Sequence, residues 1–103
     1  MPVPQLTDEQ RLAALAKARE ARKIRADVLE RLRNKEITVS DVIEMANTEE
    51  SVKKLRVLPL ICTQPSFGKV KAERLMSEIG IASNRTVGGL GRRQREDLIL
   101  GLA

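Results

Sequence analysis

The chain has 103 residues, enough for one small domain built around a single hydrophobic core. It contains no His and one Cys, which excludes a catalytic His, an internal disulfide and any zinc site that needs His or several Cys. With 19 Lys and Arg against 14 Asp and Glu, its net charge is +5. A basic chain favours a polyanionic partner, and we expect neither enzymatic activity nor a cofactor or metal.

Charge is segregated along the sequence. Residues 11–35 carry nine basic and three acidic residues, whereas residues 36–52 carry five acids and no base. Residues 53–103 are basic again, with ten bases and four acids. Two basic blocks separated by an acidic one predict two cationic surfaces with an acidic face between or behind them. The alternative is that these blocks are only solvated helix faces, above all in residues 11–35.

The sequence suggests a cytoplasmic protein. No stretch approaches the roughly 18 apolar residues of a membrane span, so no membrane association is expected. The first five residues lack the basic and apolar regions of a secretory signal. A lone thiol, Cys62, fits a reducing compartment. We predict that Cys62 is a small buried apolar residue.

A long first helix is predicted over residues 8–33. Thr7 to Gln10 form a capping-box pattern, and Asn34-Lys35 is a plausible stop. The later half of this helix carries an apolar stripe that can pack on a core, whereas the first half is rich in Ala and has little to bury. Large apolar residues are not sustained over enough heptads for a coiled coil. We therefore expect residues 8–20 to project as an arm, and we divide the chain into residues 1–34 and 35–103.

Short helices are predicted for the rest of the chain. Thr38 opens the second, the residues around Glu49 cap a third that runs through Val52 and Leu55, and Leu58-Pro59 begins the fourth because Pro suits a first helical position. A fifth helix spans residues 69–79 and ends at Gly80. A sixth covers residues 92–100. The predicted inner faces comprise Val39, Val42, Ile43 and Ala46; Leu60 and Ile61; Val70, Ala72, Leu75, Met76 and Ile79; and Leu98, Ile99 and Leu102.

The turn between the fourth and fifth helices has the chemistry of an anion-binding site. Gly68 allows a ligand to approach the backbone, and the unpaired amides at the start of the fifth helix point outward at its positive end. Lys69 and Lys71 add charge within one turn, and Phe67, the only aromatic residue, is expected to hold the turn against the core. The spacing is that of a helical hairpin that grips a DNA phosphate, although an ordinary tight turn can also have this pattern.

A second basic cluster follows near the end of the chain. Arg85 precedes a Gly-rich segment, Gly88 to Gly91, which leads into a helix through Arg92, Arg93 and Arg95. These amides and guanidinium groups could also bind phosphates. A flexible loop whose arginines pair with Glu96 and Asp97 is the alternative. Arginine is unfavourable in a first helical turn, and a polyanionic partner would offset that cost.

Four segments, in order and with matching spacing, resemble the actinobacterial integration host factor family. They are residues 4–11 (PQLTDEQR), 54–57 (KLRV), 68–72 (GKVKA) and 89–91 (GLG). The family consists of small nucleoid-associated proteins with a long N-terminal helix and a helix-two-turn-helix domain. That domain is similar to those of formamidopyrimidine-DNA glycosylase and a small-subunit ribosomal protein. The resemblance therefore implies an all-α fold, with residues 35–103 forming a helix-two-turn-helix DNA-binding domain.

The resemblance also implies a function and a site. The expected function is binding of duplex DNA with little sequence preference, DNA bending or altered topology, and support of site-specific recombination with a phage integrase and of transcription regulation, by a monomer located in the nucleoid. The phosphate-gripping turn falls on Ser66, Gly68, Lys69 and Lys71, and the C-terminal basic segment on Arg85, Arg92, Arg93 and Arg95. Secondary contacts are expected at Arg22, Arg25, Lys35 and Arg56. The chain departs from the family pattern at Ser66, where members often have Gly, at Pro59, and in Thr86 to Gly88, where members tend to be Arg-rich.

Two other functions remain open from the sequence. The same hairpin occurs on ribosomes, so an RNA-binding or ribosome-associated protein is the main alternative, although the absence of Trp and Tyr argues against base stacking on single strands. A helical adaptor that uses the arm and the acidic segment is another. Catalysis like that of the glycosylases needs an N-terminal amine and acids, and Pro2 lies outside any evident site.

Overall fold

A computed structural model describes residues 7–102, and these form six α-helices and one 3-10 turn. The predicted all-α class is confirmed. Within the described range, a single isolated β-bridge joins Arg56 to Thr86. Pro2, considered above as a catalytic amine, lies outside the described residues. The helices are α1 Asp8–Arg33, α2 Val39–Met45, α3 Glu50–Lys53, α4 Val57–Cys62, α5 Lys69–Ile79 and α6 Arg92–Leu102, and the 3-10 turn is Val87–Gly89.

Helix α1 has the predicted bounds and the predicted cap. The Thr7 hydroxyl accepts the Gln10 amide at 3.1 Å, and the Gln10 side chain accepts the Thr7 amide at 2.9 Å. The helix ends at Asn34, after which Lys35 adopts a left-handed backbone with φ of +61°. Every residue from Thr7 to Glu20 is exposed, whereas Val28 and Leu32 enter the core. The first half of α1 therefore projects, as expected for an arm.

Helices α2, α3 and α4 build most of the core. The second helix repeats the capping box of the first, between Thr38 and Asp41. Leu55 is buried as expected but lies beyond the end of α3. Helix α4 begins at Val57, which makes Pro59 its third residue and not its first. The predicted start was wrong because a contact distant in sequence, from the Val57 amide to the Arg85 carbonyl, determines where the helix begins. The residues with no exposed surface here are Val42, Val52, Val57, Leu60 and Ile61.

Helix α5 has the predicted bounds and ends at Gly80, whose φ of +87° requires the conformational freedom of glycine. Ala72 is completely buried, which brings α4 and α5 close together. Val70 was wrongly predicted to face inward, since its side chain is 73% exposed. It lies two residues before Ala72, and two residues turn a helix by about 200°. The exposed valine therefore belongs to the outer face of the first turn.

Helix α6 returns along α5. The Gln94 side chain joins the start of α6 to the end of α5, because it accepts the Gly91 amide at 2.9 Å and donates to the Gly80 carbonyl at 3.1 Å. At the other end, a Cβ at Gly101 would lie 2.9 Å from the Leu75 side chain. Leu98 is completely buried, whereas Ile99 lies at the surface.

The prediction that Cys62 is buried was wrong. It is exposed, because its position on α4 faces solvent while its neighbours Leu60 and Ile61 fill the core. None of the helices between residues 7 and 102 combines the length and the hydropathy needed to cross a bilayer. The same part of the chain contains no group of three or more His, Cys, Asp or Glu side chains that could hold a metal ion.

Candidate nucleic-acid interface

The turn between α4 and α5, residues 63–68, is built from local hydrogen bonds. The Thr63 hydroxyl, which is buried, donates to the Leu60 carbonyl at 2.6 Å, and the Phe67 amide donates to the Gln64 carbonyl at 3.2 Å. Ser66 lies between them with a left-handed backbone, φ +70°. Few residues other than glycine adopt this conformation easily. Glycine, which has no Cβ, would adopt it at the lowest steric cost.

Gly68 caps helix α5 with its backbone alone. Its conformation is extended, with φ −81° and ψ 178°, and no side chain hydrogen-bonds to the first turn. The amides of residues 69–71 are therefore left without an intrahelical acceptor. A Cβ built at Gly68 would meet, within 4 Å, no atom of the described chain beyond those of its two chain neighbours. Neither backbone strain nor internal packing requires glycine here, whereas an external group approaching the amides would.

Two lysines flank these amides, and one of them is held in place. Lys69 and Lys71 are both exposed. The Lys71 ammonium lies 4.8 Å from the centre of the Phe67 ring, within the range of a cation–π interaction. Phe67 is itself half-buried and packs on the core, as predicted. Lys35, expected only as a secondary contact, lines the same cavity as Pro65 of this turn. The turn therefore combines free amides with several positive charges.

The Gly-rich segment before α6 is built differently. A Cβ at Gly88 would lie 2.9 Å from the Lys53 side chain, and one at Gly89 would lie 2.9 Å from the Arg85 side chain. The amides of Gly89, Leu90 and Gly91 all donate to acceptors within the chain. Gly88 and Gly89 therefore allow close packing, and the free amides of this region are those at the start of α6, before its first helical bond from the Arg95 amide to the Gly91 carbonyl.

The four arginines of the second cluster have internal partners. Arg85 donates to the Gly89 carbonyl at 3.3 Å, and Arg95, which is half-buried, donates to the Leu90 carbonyl at 3.2 Å. Two further pairs, Arg92 with Glu96 at 3.5 Å and Arg93 with Asp97 at 3.9 Å, are the ones weighed as an alternative to phosphate binding. The side chains of Arg92 and Arg93 are nevertheless 93% exposed. Such exposed pairs are weak and can exchange partners.

The two basic clusters lie at opposite ends of helix α5. Lys69 and Lys71 are in its first turn, whereas α6 starts beside Gly80 through the Gln94 hydrogen bonds. Eleven residues at 1.5 Å each separate the two ends by about 16 Å. The structure therefore does not merge the clusters into one site, and a ligand touching both must be extended.

A third basic surface joins distant parts of the sequence. Three of the predicted secondary residues, Arg22 and Arg25 of α1 and Arg56 before α4, line one depression. Lys54 lines it too, and no acidic residue does. We call these four residues the basic groove. Sequence reasoning missed Lys54 as a site residue, although it lies in one of the four segments that carried the family resemblance.

The all-α fold and the turn between α4 and α5 are those of a helix-two-turn-helix protein. A family model described as the S13-like H2TH domain matches residues 32–101. Along 96% of its length, the chain is 46% identical to the integration host factor of Mycolicibacterium smegmatis and 44% identical to that of Mycobacterium tuberculosis, covering 94% of each protein. It is 40% identical to the integration host factor of Streptomyces coelicolor over 91% of this chain and 88% of that protein. The chain belongs to the integration host factor family of these bacteria.

A solved structure supports the same grouping. The fold is similar to that of sIHF in a structure of that protein bound to an 8-bp palindromic DNA. The match has a TM-score of 0.81 at 33% sequence identity and covers 85% of this chain and 99% of the other.

Proposed function

We propose that this protein is a non-enzymatic, nucleoid-associated protein that binds duplex DNA mainly through its backbone phosphates. The observation that carries the proposal is the start of helix α5, where unpaired amides, a glycine with no internal role and two lysines converge. Amides at a helix N-terminus together with ammonium groups suit a phosphate. The DNA-bound state of the similar sIHF structure and the names of the relatives support it.

The proposed contacts form three surfaces. Ser66, Gly68, Lys69 and Lys71 bind one phosphate group, with Lys35 nearby. The exposed Arg92 and Arg93 leave their carboxylate partners for DNA, and Arg85 and Arg95 contribute with the donors not used inside the chain. The basic groove of Arg22, Arg25, Lys54 and Arg56 supplies a further contact. Phosphate contacts carry no direct sequence information, so sequence preference is weak.

Separate cationic surfaces on one small molecule favour a bent duplex. A straight DNA segment can touch surfaces that face the same way, whereas contact with surfaces that face different ways requires the duplex to curve around the protein. We propose that the protein bends DNA or alters its topology in this way as a monomer. Through that bending it supports site-specific recombination with a phage integrase and transcription regulation.

A charge reversal in the α4–α5 turn tests the proposal. Lys69→Glu replaces a phosphate-binding ammonium with a carboxylate, and we expect the affinity for every duplex to fall by about tenfold or more, because a hydrogen bond to a charged group contributes roughly 1.5–3 kcal/mol. The loss is uniform across sequences because the contact is to phosphate. Binding is measured by fluorescence anisotropy on several duplexes of equal length.

Lys23→Glu is the matched control. It makes the same charge change on a surface of α1 that also carries Glu20, Asp27 and Glu30, where DNA is not expected to bind. Affinity should fall much less for this variant. Equal losses for both variants would mean that only net charge matters. A change in sequence preference with Lys69→Glu would indicate base reading by the turn, and tight binding of single-stranded RNA by the wild type would favour the RNA-binding alternative.

A further inference from the structure

The arm of helix α1 has an uncovered face. Leu12 and Leu15 are 67% and 52% exposed, although large apolar side chains are usually covered. Positions 8, 12, 15 and 19 follow the 4-3-4 spacing that lines one side of a helix. A helix turns by about 100° per residue, so the opposite side of α1 carries Ala21, Ile24 and Val28, which the rest of the molecule partly or fully covers. The two leucines therefore face away from the body of the molecule.

The charges and apolar residues along this face match those of the same face on a second copy of the chain. From its start the face presents Asp8, Leu12, Leu15 and Arg19, that is, an acid, two leucines and a base. When two arms run antiparallel with their centre between residues 13 and 14, each Leu12 meets Leu15 of the other copy. In the same register each Asp8 meets Arg19 of the other copy. A parallel arrangement would instead oppose like charges, which is unfavourable.

Other features of the arm suit this arrangement. Ala16 and Ala18 flank the stripe on its two sides, and small residues there let two helices approach closely. Within residues 7–102, neither Asp8 nor Arg19 takes part in an ion pair. The overlap of two antiparallel arms spans residues 8–19 and ends before Ala21, the first residue of α1 that is partly covered. The two bodies therefore lie at opposite ends of the contact, where Lys17 and Ala18 of each arm line a depression with Glu50 and Ser51 of their own chain.

We propose that a second copy of this chain occupies the uncovered face by antiparallel pairing of residues 8–19. The contact is only about 18 Å long at 1.5 Å per residue, and it buries much less surface than a stable dimer interface does. Association is therefore weak, so the protein is monomeric when dilute and paired at high local concentration. Pairing itself needs no DNA. On DNA, and in this respect resting on the proposed function, it connects two bound molecules.

Disulfide trapping tests the pairing and its register. Cys62→Ser removes the exposed native thiol. In that background, chains with Leu12→Cys and isotopically labelled chains with Leu15→Cys are mixed at high concentration without DNA and oxidised, and the dimers are counted by mass. Antiparallel pairing predicts several-fold more mixed dimer than either homodimer. A random mixture of about two mixed dimers to one of each homodimer, or no dimer, would overturn the proposal.

Charge exchange provides an independent measurement in the same assay. Arg19→Asp opposes two acids in each pair and should reduce the mixed dimer several-fold, whereas Asp8→Arg combined with Arg19→Asp restores the attraction and the yield. Circular dichroism of each variant checks that α1 is still helical. Equal yields from all three charge patterns would overturn the register. Since the assay contains no DNA, a failure here is distinguishable from a failure of DNA binding.

Discussion

Ser66 stores backbone strain in the turn that we propose binds phosphate. Its φ of +70° brings a side chain into a region that L-residues avoid, at a cost of about 1–2 kcal/mol. Glycine removes that cost but loses about 0.5–1 kcal/mol in conformational entropy on folding. We therefore expect Ser66→Gly to raise the free energy of unfolding by roughly 0.5–1 kcal/mol and the melting temperature by roughly 2–8 °C.

Ser83→Gly is the matched control for this prediction. Ser83 is also exposed and lies in a loop, but its φ is not positive. Glycine there brings only the entropic loss and should destabilise the fold slightly. Thermal and urea denaturation of both variants give the comparison. Stabilisation by neither substitution, or equally by both, would contradict the strain at Ser66.

Asp41 makes stability depend on pH. Hydrogen bonds with Thr38 hold the pKa of the Asp41 carboxyl below its ordinary value of 3.8, and the bond with the Thr38 backbone has a larger effect than the one with its side chain. The carboxylate therefore favours folding at pH values above that ordinary value, and its contribution is lost as the pH falls through the lowered pKa. We expect Asp41→Asn to be less stable than wild type at neutral pH and the difference to shrink below about pH 4. Urea denaturation from pH 2 to 7 measures this, and a difference that stays constant would disagree with it.

The exposure of two residues, Cys62 and Val70, was not predicted from the sequence. The burial of Leu60 and Ile61 was predictable, but the exposure of Cys62 depends on which side of a six-residue helix faces the core. Val70 was assigned to the core because it is apolar, although the helical repeat relative to Ala72 and Met76 turns it outward. Hydrophobicity indicates which residues can be buried, and only the helix geometry decides which of them are.

At the scale of helices, local signals fixed most of the boundaries. Helices α1 and α5 have their predicted ends because the capping box at Thr7 and the left-handed Gly80 act through nearby residues. Helix α4 starts at Val57 because the Val57 amide donates to the Arg85 carbonyl at 3.0 Å, across 28 positions of sequence. Such a contact has no local signature. The same holds for the basic groove, which the fold assembles from α1 and the segment before α4.

The arm is an element that the fold does not need. Since every residue from Thr7 to Glu20 is exposed, deletion of residues 1–18 removes almost no buried surface from the part of the chain that the structure describes. We expect the shortened chain to stay folded, with a cooperative thermal transition lowered by no more than about 5 °C, and to bridge or bend DNA less than the full chain. Circular dichroism measures whether the shortened chain folds. Sedimentation measures how many duplexes the protein joins in pairs. An unfolded product would show that the arm is part of the core.

At the scale of the whole molecule, the arm determines the shape. The Cα radius of gyration is 16.0 Å, whereas a compact chain of this length has about 13 Å. The longest dimension is 49 Å and the shortest 25 Å. An elongated molecule with basic residues at both ends of α5 and along α1 can touch a duplex at separate points. The basic blocks of the sequence do not each form a surface of their own, since the basic groove takes Arg22 and Arg25 from the first block and Lys54 and Arg56 from the second.

The salt dependence of duplex affinity tests phosphate binding most directly. About six phosphate contacts, distributed over the α4–α5 turn, the arginines of α6 and the basic groove, predict that the logarithm of the association constant falls linearly with the logarithm of salt concentration, with a slope of roughly −5. Titrations of one duplex length between low and physiological salt give that slope. A flat response, or single-stranded RNA bound as tightly as the duplex under the same conditions, would contradict the account.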